Sequence, residues 1–229
     1  FGLLFASGMA NATLTSILGG QAVYDSDLNI SWLSNADLAA SNCFGAFGCY
    51  GGGAGNGNIN NMMNWSGAKN WVSAMNVAHY LGVSNWRLPK TVQPDASCTQ
   101  TLALFPDQPL GFNCTGSEMG HLFYNELGGV AGINITASHN ASYGLFSNLE
   151  PDYGYWSDTR FPYYPTYAFA FYFNNGVQTY GNADSAYYRF AWAVAPGDIS
   201  QVPLPEAAWL FVSVLSALAW VMRGRRGIP

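Results

Sequence analysis

The sequence predicts an α+β protein: two helices packed on antiparallel β-sheet and hairpins, loop-rich, with a C-terminal hydrophobic helix. Three observations predict it. Apolar residues recur at helical spacing in two stretches of the first half. After residue 150 the period changes to two, the spacing of a strand. Near the C-terminus, residues 207–222 run for sixteen positions without a charge.

The elements follow in chain order. Phe1 to Met9 is apolar or small, and Ala10-Asn11-Ala12 fits the A-x-A cleavage pattern. Residues 1–12 therefore read as the end of a signal peptide, and the exported chain begins near Thr13. The alternative is a buried N-terminal strand or helix. Residues 22–33 read as a first strand and turn. Asp25, Asp27 and Asn29 imitate the opening of a calcium loop, but Ile30 replaces the required Gly and Ala36 the required Glu. A solvated turn is expected instead. Residues 50–60 form a Gly/Asn loop without phosphate-binding spacing.

Helix one is predicted over Ser66–Leu81, because Ala68, Trp71, Val72, Met75 and Ala78 share one helical face and Gly82 follows as a stop. Helix two is predicted over Ser117–Leu127, with Met119, Leu122, Phe123 and Leu127 on its apolar side. Thr115 and Glu118 have capping-box spacing, and Gly128-Gly129 ends the helix. Tyr167, Phe169, Phe171 and Phe173 then alternate with smaller residues, Asn174-Asn175-Gly176 supplies a turn, and residues 177–180 return. Tyr187–Ala195 is a further strand, ended by Pro196-Gly197; residues 198–206 are a linker.

Only 9% of the chain is charged, against about 25% for an average soluble protein. Residues 13–200 hold twelve acidic and five basic side chains, a net −7. That charge argues against nucleic acid and anionic membranes as partners, since both attract positive potential. The polar surface must come from Asn, Ser, Thr, Gly and Tyr, a composition common in proteins that meet polysaccharide. The four cysteines fall into two local pairs, Cys43 with Cys49 and Cys98 with Cys114, and an even count in an exported chain reads as disulfides. His79, His121 and His139 have no metal-site spacing to them, so neither a metal nor a cofactor is expected.

The tail is the most specific signal. Val202-Pro203-Leu204-Pro205-Glu206 precedes the uncharged stretch 207–222, and Arg223, Arg225 and Arg226 follow it. A sixteen-residue helix rises about 24 Å, slightly under the hydrocarbon thickness of a bilayer. Trp209 and Trp220 stand near its ends, and the arginines hold the far end on the cytoplasmic side. A plain membrane anchor would satisfy the hydropathy. The order Pro motif, apolar helix, Arg cluster resembles the PEP-CTERM sorting signal of Gram-negative bacteria, in its Val-Pro-Leu-Pro variant. The resemblance implies recognition by a membrane-embedded exosortase after export, with Pro203, Pro205 and Glu206 in the sorting motif.

Between these termini, several phrases stand in a recognisable order: Asn64-Trp65, Tyr80-Leu81-Gly82, Asn85-Trp86-Arg87-Leu88-Pro89, Gly116 to Tyr124, Tyr155-Trp156-Ser157-Asp158-Thr159 and Ala191 to Asp198. Together they resemble the Lcl C-terminal domain, a bacterial family, over about residues 22–199. Asp158 departs from the family's box. The resemblance implies a C-type lectin-like fold, similar to that of formylglycine-generating enzymes. The family's namesake is an adhesin that binds sulfated polysaccharide, which an acidic domain is poorly suited to do.

Residue by residue, the boxes read as structural. Trp86, Trp156 and Trp192 are core candidates. Arg87 should pair with a carboxylate, Glu118 or Glu126. His121 reads as a hydrogen-bonded structural histidine. No nucleophile elbow, zinc-protease motif or C-x-x-C is present, so an enzyme is not expected. The candidate binding surface is the aromatic run 153–167, where Pro162 and Pro165 exclude a regular element. Phe161, Tyr163 and Tyr164 fall on that loop as candidate sugar-stacking rings, with Asp158 and Arg160 as polar neighbours. The same rings could instead form a lid on the core. Two functions follow: a carbohydrate-binding or adhesive module at the cell surface or in exopolysaccharide, or a passive matrix protein without a ligand. An enzyme of formylglycine-generating type ranks below both.

Overall fold

The computed structural model describes residues 14–49, 61–102, 105–183 and 188–201. The predicted signal segment, the 50–60 loop and the sorting signal, with Pro203, Pro205, Glu206, Arg223, Arg225, Arg226 and the helix 207–222, lie outside the described residues. Within them, no helix is long and apolar enough to cross a membrane.

The protein is α+β. Strands β1 (Leu14–Ile17), β2 (Ala22–Asp25), β3 (Ile30–Leu33) and β9 (Val194–Pro196) form an antiparallel sheet in the order β1-β2-β3-β9. Strands from the two ends of the described chain thereby share one sheet, with Trp32 of β3 lying opposite Val194 of β9. All four residues of β3 are buried, as a strand covered on both faces must be. The predicted strand 187–195 is shorter than expected: only Val194–Pro196 pairs continuously, while Arg189 and Phe190 make isolated bridges to Met63 and Tyr155. Ile199 is buried and its N–H donates to Ser31 Oγ, so the expected linker begins later than residue 198.

A second sheet is the meander β6 (Gly154–Arg160), β7 (Tyr167–Tyr172) and β8 (Val177–Asn182). Its β7–β8 hairpin turns where expected, with Gly176 at φ +76°, a conformation open to glycine. Strands β4 (Gln100–Leu102) and β5 (Phe105–Leu110) make a separate two-stranded ribbon.

Helix α1 spans Trp65–Val77, with Asn64 as N-cap accepting from Gly67 N–H at 2.8 Å. It stops short of the predicted Leu81. His79 and Leu81 take left-handed conformations, and Asn76 exchanges two hydrogen bonds with the Trp86 backbone, drawing the chain off the axis. Helix α2 departs further from expectation. One α-turn, Glu118–His121, continues as a π-turn over Leu122–Glu126. The capping box is absent too. Ser117 holds the N-cap position but its hydroxyl donates to Asp95, and the Glu118 carboxylate goes to Arg87.

The core is aromatic. Trp32 and Trp192 lie 5.0 Å apart between centroids, and Tyr155, Phe146 and Phe173 pack around Trp192. Buried indoles need an acceptor. Trp71 donates to Asn42 O, Trp86 to Tyr80 O, Trp156 to Met63 O and Trp192 to Leu33 O, so these rings also tie loops to the core. Cys43–Cys49 and Cys98–Cys114 are disulfides.

Candidate functional site

The aromatic loop stands between β6 and β7. Phe161 N–H donates to Tyr167 O and Tyr167 N–H to Tyr164 O, both at 2.8 Å, closing the segment into tight turns around its prolines. Phe161 is fully buried, which corrects its place among the stacking candidates: it offers no face to solvent. Its ring instead lies parallel to Tyr164, with 6.1 Å between centroids and 7° between planes. Tyr163 stands 6.2 Å away and Tyr180 4.7 Å away. With Leu110 and Phe169 it forms a small hydrophobic cluster separate from the main core. Tyr163 and Tyr164 keep 46% and 49% of their surface exposed. Two half-exposed rings thus rest on a buried one.

The polar neighbours are held from the other side. Trp65, at the start of α1, donates its indole N–H to Ser157 O at 2.8 Å. The Arg160 guanidinium lies 4.3 Å over the Trp65 ring and donates to Pro165 O, pinning the loop to the helix. Asp158 makes an ion pair with Lys69, whose ammonium is also 5.7 Å from the Trp65 ring. The structure therefore brings Asp158, Arg160, Tyr163 and Tyr164 together on one strand and its loop, but both charged groups already have partners in the protein. Trp65 and Lys69 belong to this surface and were not singled out for it from the sequence. The helical period of α1 could have flagged Trp65 and Lys69, one turn apart, as one patch.

The other residues singled out from the sequence have partners within the fold. Arg87 pairs with Glu118, not Glu126. Glu126 instead accepts from His121, 3.1 Å away, under the β2–β3 turn. That turn is not solvated at its first residue: Asp25 is fully buried and its carboxylate accepts the backbone N–H groups of Asp27 and Leu28. Burial dominates the Asp25 carboxyl and raises its pKa; for His121 the hydrogen bond to the Glu126 carboxylate dominates and raises the pKa.

Comparison with protein-family models, with curated proteins and with solved structures found no match.

Proposed function

We propose that this is an exported bacterial surface or exopolysaccharide protein whose domain binds carbohydrate through Tyr163 and Tyr164. The observation that carries the reading is the pair of half-exposed rings held on a Pro-bounded loop by buried Phe161. Rigid aromatic faces stack on sugar rings at little entropic cost, because their orientation is already fixed. A net −7 over residues 13–200 points to neutral rather than sulfated glycans. The C-type lectin-like fold and exosortase processing near Pro203–Glu206 rest on sequence resemblance, and export past Ala12 rests on the A-x-A cleavage pattern.

The deciding experiment is a glycan array probed with the protein and with a Tyr163→Ala/Tyr164→Ala variant. Binding to a neutral polysaccharide that the variant loses supports the reading; equal binding, or none to any glycan, rejects it. The passive matrix reading draws on Asp158 and Arg160 being engaged within the protein. Intact mass of the exported protein tests the sorting step, which is rejected if residues 207–229 are retained.

A further inference from the structure

Asp25, His121 and Glu126 come from the β2–β3 turn and the two ends of the π-turn, and meet in the interior. Their nitrogen and carboxylate oxygens all lie within 4.8 Å of one another. Asp25 is fully buried, Glu126 is 3% exposed and His121 9%.

The π-turn is what makes the cluster. Residues five apart on an α-helix point roughly 140° away from each other. In an i→i+5 turn they lie nearly over one another. Leu127 N–H donates to Leu122 O at 2.9 Å, the wider ladder, and His121 Nε2 accordingly reaches Glu126 Oε1 at 3.1 Å. π-turns are rare and concentrate at functional sites, because they cost backbone regularity.

Asp25 and His121 are also held from their far sides. Asp25 Oδ1 accepts from Asp27 and Leu28 N–H at 3.1 and 3.0 Å, leaving Oδ2 with one long contact, Trp32 Nε1 at 3.5 Å. The second oxygen of Glu126 accepts no hydrogen bond from the described residues. His121 Nδ1 lies 3.1 Å from the Asn125 amide nitrogen, and Nε2 faces Glu126 Oε1. Turning the Asn125 amide over would set its oxygen against Nδ1–H and leave the Nε2 lone pair facing the two carboxylates, the tautomer that a metal ion selects. The charges acting on Asp25 are Glu126 and His121, and those on His121 are Asp25, Glu126 and Asp27; no lysine or arginine is among them. Two buried carboxylates facing one imidazole keep a net negative charge even with the imidazole protonated, and a dication would neutralise it.

We propose that Asp25, His121 and Glu126 bind one divalent transition-metal ion of the zinc type. One imidazole nitrogen and two carboxylate oxygens are a donor set that suits such ions, with a fourth position left to water. The atoms need only small side-chain rotations to reach metal bonds of about 2.0–2.2 Å. The ion would tie the β2–β3 turn to α2. The proposal does not depend on carbohydrate binding.

The test uses the full chain, stripped with chelator and titrated with zinc chloride, with bound metal measured by mass spectrometry and Tm followed in parallel. One equivalent should bind, and Tm should rise with zinc concentration and fall back on adding chelator. His121→Gln and Asp25→Asn should lose about 100-fold or more in affinity. Asn125→Ala, at an exposed position, should lose about 10- to 100-fold. His79→Gln and His139→Gln should bind as the parent does. Absence of stoichiometric zinc uptake by the parent chain overturns the proposal, without reference to any variant. So does uptake that survives His121→Gln or that depends on His79 or His139, and so does binding of calcium in place of zinc.

Discussion

Arg87 and Glu118 meet fork to fork: Nη1 donates to Oε2 at 2.8 Å and Nη2 to Oε1 at 2.6 Å, across 31 residues of sequence. Glu118 Oε2 also accepts the Lys90 N–H at 2.7 Å, and Arg87 bridges by its backbone to Val194. One carboxylate therefore joins the start of α2 to the segment that lines β9. A bidentate pair fixes orientation as well as distance, which a lysine could not do.

Removing one partner leaves the other charge poorly solvated, since the side chains are 18% and 14% exposed. Glu118→Gln should therefore cost about 2–4 kcal/mol in chemical denaturation. The double change Arg87→Met/Glu118→Leu should recover part of that loss, because the desolvation penalty goes with the charges. An additive double mutant would show that the two residues act independently.

Asp37 predicts an inverted pH dependence. Burial is the main cause that raises its pKa from 3.8 to about 6; Glu150 adds to the rise and the hydrogen bond from Asn61 opposes it. Its Oδ1 accepts no hydrogen bond from the described residues. The folded state holds the proton more tightly than the unfolded state, so this residue's contribution is greatest below about pH 4. It declines as pH rises through about 6, by about 3 kcal/mol at most. Asp37→Asn should thus be more stable than the parent at pH 7 and about equal to it at pH 4. Denaturation midpoints at the two pH values decide, and a variant less stable at both rejects the account.

The two disulfides should differ in weight. Cys98–Cys114 closes a loop of sixteen residues and Cys43–Cys49 one of six. Restriction of the unfolded chain makes these worth about 3 and about 2 kcal/mol. Replacing Cys98 and Cys114 together by Ser should lower Tm more than replacing Cys43 and Cys49. The reverse order would place the stabilisation in the folded state rather than the unfolded one.

What the sequence disclosed is what local pattern controls. The α1 stripe of Ala68, Trp71, Val72 and Met75 is buried as expected, and the Asn174-Asn175-Gly176 turn sits between β7 and β8. The disulfides and the Arg87–carboxylate pair were legible because few partners competed for them. The π-turn was not, since Met119, Leu122, Phe123 and Leu127 satisfy an α-helical stripe equally well and the extra residue leaves no mark on it. Asp25 read as a solvated turn residue because nothing local reveals that His121 and Glu126 lie above it. At the candidate site the loop was legible from its prolines. Which of its rings faces inward was not, because Phe161 is sorted from Tyr163 and Tyr164 by Phe169 and Tyr180 on two other strands.

That sorting gives the last prediction. Phe161 is fully buried against Phe169 and Tyr180, whereas Tyr163 and Tyr164 are about half exposed. Phe161→Ala should open a cavity and cost about 3–5 kcal/mol. Tyr163→Ala and Tyr164→Ala should each cost about 1 kcal/mol or less, because half of each ring is already in water. On an immobilised neutral polysaccharide the order of effects should separate by cause. The tyrosine variants should weaken retention at unchanged Tm, while Phe161→Leu should lower Tm and keep much of the retention, since a smaller apolar side chain still supports the tyrosine rings. If Tyr163→Ala and Tyr164→Ala lower Tm as much as Phe161→Ala does, the two rings are part of the cluster they cover, and the loop is a lid rather than a binding surface.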